Sequence, residues 1–304
     1  RDRLRSRGLG DVYKRQQNNY TPSAIARGMV SKSMRTVAVL TVDIRVPHYA
    51  RTAYTIEREF SRRGYEVILC NTGGDRAETL RYLQAVNQKQ VDGIVLVGSV
   101  FDTICQGAEM EKLLTGVPVV LANGKLDLPN AYSVTVDDKY GVSLAVEHLV
   151  ARGRKNIYYI KDRDTDSAKS KRDGFLEAMR RNGLEFADHV LEAGETLASG
   201  METVQALLAQ GIVPDGIVCG EDLTAAGALK ALLRAGLRVP GQVAVVGFNN
   251  SDYAHLCEPV LTSVDNKPEQ VALLCVQLLE SSIERSEAYS SVVLQPELAQ
   301  GETS

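Results

Sequence analysis

The fold class predicted by this sequence is α/β: two doubly wound parallel-sheet halves with a ligand cleft between them. Three observations predict it. Short β-branched runs alternate with longer stretches of helical period from Thr36 onward, and the same alternation starts afresh at Asn156. The chain has 304 residues with 44% hydrophobic content, enough to bury two medium cores.

Taken in order, residues 36–42 (TVAVLTV) read as a buried strand and residues 49–63 as a helix stopped by Gly64. A strand at 66–71, a helix at 77–89, a strand at 93–97 (GIVLV), a weak helix at 109–114 and a strand at 117–122 follow. Residues 134–136 read as a short strand and residues 140–151 as a helix, with Gly153 closing the unit. The second round places strands at 157–160, 190–191, 216–219, 243–248 and 291–294. Its helices fall at 170–181, 200–210, 223–235 and 269–284, with a loop through Asp265. The first half is expected to span residues 36–152 plus 267–287, and the second 153–265 plus 288–297, with 298–304 as a tail. Sheets of this kind bind ligands at the carboxyl ends of their strands, so the two sets of ends should line one cleft.

Composition narrows the function. No stretch approaches the roughly 20 apolar residues of a membrane span, and nothing at the start reads as a secretory signal, so a cytoplasmic protein is expected. Five cysteines with no C-x-x-C pair, most beside apolar runs, indicate reduced buried thiols and not a disulfide or zinc framework. The net charge of −3 is uneven: residues 1–35 hold nine Lys/Arg against Asp2 and Asp11, leaving a net −10 on the remainder. A basic head on an acidic body suits a protein that meets phosphate at one end.

Within that head lies Tyr20-Thr21-Pro22-Ser23-Ala24-Ile25-Ala26-Arg27-Gly28-Met29. Thr21 is a plausible N-cap and Pro22 suits the first helical position, so one or two turns can begin here, too few to persist alone in water. A surface linker with one helical turn is the local alternative. The decapeptide resembles the hinge helix of the LacI/GalR family of bacterial transcription regulators, Tyr-x-Pro-Asn-x-x-Ala-Arg-x-Leu: Tyr20, Pro22, Ala26 and Arg27 match, Ser23 replaces Asn and Met29 replaces Leu. Further similar stretches are Arg62-Arg63-Gly64-Tyr65-Glu66-Val67, Val91-Asp92-Gly93-Ile94, Glu147-His148-Leu149, Gly174-Phe175, Asp222 with Ala226-Gly227-Ala228, Leu237-Arg238-Val239-Pro240 and Val245-Val246-Gly247-Phe248. Their order and spacing, from Asn18 on, are more specific than any one of them.

The resemblance implies a periplasmic-binding-protein-like effector core of a transcriptional repressor that acts as a homodimer on operator DNA and responds to a small effector, such as a sugar. In that family paired hinges insert their leucine into the minor groove, which implies DNA contact for Tyr20, Ser23, Ala26 and Met29. Residues 17–35 would be hinge and linker. Residues 1–16 show no helical periodicity and are expected to be a non-native scar, with the helix-turn-helix headpiece missing. By position, the resemblance also implies ligand contacts from His48 and Tyr49 after the first strand, Tyr140 before Gly141, Lys171 three before Gly174, Glu221 before Asp222, and Asn249 after Phe248. Lys171 stands for an arginine and Asn249 for an aspartate, so bidentate geometry and one charged acceptor are given up. Each of these also reads as a solvated loop residue.

No enzyme signature appears: no G-x-S-x-G, Walker sequence, H-E-x-x-H or strand-linked G-x-G-x-x-G. His148, His189 and His255 are isolated, and His48 has no positioned nucleophile beside it. No catalytic residue, cofactor or metal is expected. A solute-binding receptor for sugar transport or chemotaxis is the alternative from another class, and a hydrolase acting in the cleft ranks behind it.

Overall fold

The computed structural model describes residues 33–285 and 290–304. Residues 1–32, with the expected scar and the hinge positions Tyr20, Ser23, Ala26 and Met29, lie outside the described residues. The described chain forms two six-stranded sheets.

The first sheet is built from β1 (Thr36–Thr41), β2 (Glu66–Asn71), β3 (Gly93–Val97), β4 (Val119–Ala122), β5 (Ala131–Val136) and β11 (Val292–Leu294), in the order β11-β5-β4-β3-β1-β2. The second contains β6 (Ile157–Lys161), β7 (Val190–Glu192), β8 (Gly216–Cys219), β9 (Ala244–Phe248), β10 (Thr262–Asp265) and β12 (Glu297–Ala299), in the order β12-β10-β9-β8-β6-β7. All pairings are parallel except β10 with β12. In each sheet the order reverses beside the first strand, which places a crevice at the carboxyl ends of β1 and β6.

The strands read as unbroken apolar runs because both faces are covered. In the first sheet Val37, Val39, Val95 and Val97 meet α1 (Pro47–Arg62) and α10 (Pro268–Arg285). The alternate residues Ala38, Leu40, Ile94 and Leu96 meet α2 (Arg76–Gln88), α3 (Phe101–Ile104) and α4 (Ala108–Leu114). In the second sheet Tyr159, Val218 and Val246 pack against α5 (Asp138–Ala151) and α6 (Asp166–Arg181). Ile160, Ile217 and Val245 pack against α7 (Leu197–Ala209) and α8 (Asp222–Arg234). The short α9 (Asp252–His255) completes that face. Among the described residues no helix is long and apolar enough to cross a membrane.

Three assignments of chain to half are corrected. The helix expected at 140–151 in the first half is α5, whose Val142, Ala145, Val146 and Leu149 are buried in the core of the second. The strand at 291–294, expected in the second half, is β11 and pairs with β5 in the first sheet. Residues 298–304 are no tail: β12 pairs with β10, and Thr303 is fully buried, its hydroxyl donating to Val245 O at 2.6 Å. The chain therefore crosses between halves near residues 137, 266 and 295. The loop expected through Asp265 contains β10, whose polar Thr262 and Ser263 are fully buried and hydrogen-bonded, which masks it from an apolar-run reading.

Two glycines set the closeness of helix pairs. A Cβ on Gly227 in α8 would lie 2.2 Å from Leu197 O in α7, and one on Gly174 in α6 would lie 2.3 Å from Lys139 O in α5. Helix propensity alone would make alanine at Gly227 more stable by about 1 kcal/mol. The backbone clash should prevail, so Gly227→Ala is expected to lose roughly 1–3 kcal/mol in urea unfolding. A gain in stability would show that α7 and α8 can move apart freely.

Candidate functional site

A cavity of about 570 Å³, counting its open mouth, lies where the strand ends of the two halves face each other. Five of the six residues singled out for ligand contact line it: His48, Tyr49, Lys171, Glu221 and Asn249. Tyr140 does not. It sits in the first turn of α5 with 43% of its surface exposed, while Asp138, two residues earlier, lines the cavity. Two residues are a 200° turn of a helix, so the two side chains point apart.

The loop after β1 leads directly into α1, with Pro47 at its start, and presents His48 and the buried Tyr49 from the first half. Glu221 precedes α8 as its N-cap but makes no capping bond with its side chain, which turns into the cavity instead. There it accepts a 2.6 Å hydrogen bond from Asn249 Nδ2 and stands 3.6 Å from His48 Nδ1. Asn249 has φ +97°, a conformation asparagine tolerates better than most residues, and its Oδ1 accepts from Asn266 Nδ2 at 2.6 Å. Lys171 is buried; its Nζ donates to Gly220 O at 2.9 Å and lies 3.8 Å from the centre of the Phe248 ring.

A carboxylate outside the cavity holds these loops in place. Asp222 is fully buried and accepts from Ser251 N at 2.7 Å, Ser251 Oγ at 2.8 Å and Ser263 Oγ at 2.6 Å. Burial pushes its carboxyl up to about 7, against these hydrogen bonds, which favour the ionised form.

Asp138, Asp162, Arg163 and Asn266 line the site and were not singled out from sequence, nor were Asn123 and the hydroxyl-bearing Thr52, Ser99, Thr165 and Ser167. Asp162 and Arg163 directly follow β6 at a strand end, the one signal that could have marked them. Arg163 crosses the cleft and donates from Nη1 to Tyr49 Oη at 3.3 Å. It also lies 3.4 Å from Glu195, 3.5 Å from Asp162 and 3.8 Å from Glu221. Burial disfavours its charge, but Glu221, Tyr49, Asp162 and Glu195 more than offset that, so the guanidinium is held firmly protonated. Asp138 accepts from Ser167 Oγ at 2.6 Å. Desolvation raises the carboxyls of both Asp138 and Asp162 and pushes the Tyr49 hydroxyl up to about 12. Asp162 Oδ2, Arg163 Nε and Asn266 Oδ1 are buried without a hydrogen-bond partner. Unsatisfied groups in a walled cavity favour a ligand that can pair with them.

Desolvation, and then the positive charges of Arg163 and Lys171, hold His48 well below its ordinary range despite the nearby Glu221. The depressed value means that folding favours the neutral ring. Its contribution to stability is present above pH 6.5 and is lost as pH falls below that value. A pH titration by NMR should show no protonation of His48 between pH 8 and pH 6. A midpoint at or above 6.5 would mean that Glu221 outweighs burial.

Comparison with known proteins agrees with the resemblance. Residues 146–304, just over half of the chain, match the periplasmic binding protein-like domain family. An HTH-type transcriptional regulator of Lachnoclostridium phytofermentans is 32% identical over 88% of this chain and 81% of its own length. A ribose operon repressor of Halalkalibacterium halodurans is 31% identical over 88% of this chain and 78% of its own. A solved LacI transcriptional regulator from a Rhodococcus species superposes with a TM-score of 0.76 at 28% identity, covering 88% of this chain and 97% of that one. With its two facing α/β halves and the cleft between them, the chain belongs to the LacI family of transcriptional regulators.

Proposed function

We propose that this chain is the effector-binding core of a transcriptional repressor whose effector is a small uncharged polyhydroxy compound, a sugar or sugar derivative, held between the two halves. The observation that carries this reading is the makeup of the cavity wall. Three carboxylates, Asp138, Asp162 and Glu221, face Lys171 and Arg163, with the carboxamides of Asn249 and Asn266 beside them. Hydroxyl groups can donate to the first set and accept from the second, whereas a phosphate or sugar acid would meet more negative charge than positive. Asn266 Oδ1 is buried without a hydrogen-bond partner, and Asp162 Oδ2 has Arg163 Nε at 3.5 Å but no hydrogen bond, so acceptor capacity is left over for such donors. The relative named as a ribose operon repressor supports the same ligand class.

The ligand acts by differential affinity for open and closed arrangements of the halves, since it can shift that equilibrium in no other way. Because His48, Tyr49 and Asn123 come from the first half and Lys171, Glu221 and Arg163 from the second, a ligand touching both sets favours closure. The change in angle would then reach the DNA-reading segment. Helix-turn-helix readers grip two half-sites, so the working unit in this reading is a homodimer acting on operator DNA in the cytoplasm.

The test is a thermal-shift screen of the protein against sugars, polyols, sugar phosphates, sugar acids and nucleosides. A concentration-dependent rise confined to neutral sugars or polyols, with the compound recovered unaltered, is the expected result. A rise with phosphorylated or acidic compounds alone would overturn the reading, and a chemically altered compound would point to an enzyme. Lys171→Met keeps the aliphatic stem against Phe248 but removes the charge and its donors. Affinity for the sugar found should then fall by roughly tenfold or more, about 1.5–3 kcal/mol, with the circular dichroism spectrum unchanged. Unaltered affinity would remove Lys171 from the site.

A further inference from the structure

The cleft has a second chamber. Beside the cavity already described, a space of about 520 Å³, counting its open mouth, is lined by Arg45, Pro47, Glu195, Leu223, Ser251 and Tyr253. His48, Asp162, Arg163 and Glu221 border both chambers and form the wall between them.

Arg163 is the centre of that wall. Tyr49 holds it from the first half, while Asp162, Glu195 and Glu221 surround it from the second. Its side chain is only 14% exposed. A guanidinium tied to one partner could swing aside at the cost of a rotamer change. Moving this one aside would break its hydrogen bond to Tyr49 and separate Asp162 and Glu221, themselves mostly buried, from their cation at 3.5 and 3.8 Å. The planar fork also keeps a fixed shape, unlike a lysine on its flexible stem. A ligand filling the first chamber therefore meets a charged, rigid partition where a longer molecule would have to continue.

We propose that Arg163 determines the size of the ligand. With the guanidinium in place the first chamber takes a single sugar unit, and a second unit linked to it is excluded from the neighbouring space. Without the guanidinium the chambers join into one site long enough for a disaccharide. The selectivity arises from a barrier against the larger ligand and not from an added attraction for the smaller one. This inference rests on the sugar-binding reading of the cleft.

Isothermal titration calorimetry separates the two. D-glucose, D-galactose and D-ribose, and the disaccharides maltose, cellobiose and lactose, are titrated into the wild-type protein, Arg163→Ala and Arg163→Lys. The lysine variant keeps a cation among the carboxylates and carries the test where the alanine variant fails to fold. Wild type should bind at least one monosaccharide more tightly than any disaccharide. The ratio of disaccharide to monosaccharide affinity should rise by roughly tenfold or more in Arg163→Ala, and by less in Arg163→Lys. Binding of a disaccharide by wild type as tightly as a monosaccharide would overturn the proposal, as would folded variants with an unchanged ratio. The monosaccharide or polyol found by the thermal-shift screen is titrated alongside these six, and absence of binding by wild type to all of them would instead overturn the sugar reading beneath it, so the two failures are told apart.

Discussion

Glu221 and Asn249 can meet in the cleft because Asp222 ties their loops together from behind. Its carboxylate takes three short hydrogen bonds, from Ser251 N, Ser251 Oγ and Ser263 Oγ, and so joins the start of α8, the loop after β9 and strand β10. Asn249 lies two residues before Ser251, and Glu221 is the residue before Asp222. A buried carboxylate is costly to desolvate, and here that cost fixes geometry: charge-assisted bonds are shorter and more directional than packing contacts. The unfavourable backbone angle of Asn249 persists because these bonds, together with the ones its own side chain makes to Glu221 and Asn266, leave the loop no alternative.

The cleft itself is an exercise in placing charge where water is scarce. Arg163 draws Asp162, Glu195 and Glu221 around it, and Lys171 is stabilised by Gly220 O and the face of Phe248. The same cations, acting with burial, keep His48 neutral beside Glu221, so it serves as a hydrogen-bonding group and not as a second cation. Contacts such as Arg163 to Tyr49 span the two halves. Bridges of this kind belong to one relative arrangement of the halves, and a ligand that adds further bridges shifts the population toward that arrangement.

Close packing elsewhere sets the spacing within each half. Gly174 and Gly227 bring α6 against α5 and α8 against α7 at backbone contact, with no room for a larger side chain between them, and the chain passes between the halves at three crossings.

By itself the sequence determined the existence and order of most elements, since apolar runs bounded by turn residues state their own period. It also determined which segments follow strands, and the resemblance to the LacI/GalR family, carried over position by position, named His48, Tyr49, Lys171, Glu221 and Asn249 before any coordinates. Only tertiary structure decided which sheet an amphipathic helix covers. The stripe Val142, Val146 and Leu149 is equally apolar against either sheet, and α5 went to the second. Strands β11 and β12 are three residues each, too short to declare a partner, and their pairing places them in opposite halves. The outward turn of Tyr140 and the inward turn of Asp138 depend on how α5 is rotated over that sheet, and Arg163 bridges the site because α1 of the other half brings Tyr49 within its reach. Local periodicity specifies what a segment is and which face it hides, whereas contacts across the cleft depend on residues more than a hundred positions apart, whose meeting no local pattern records.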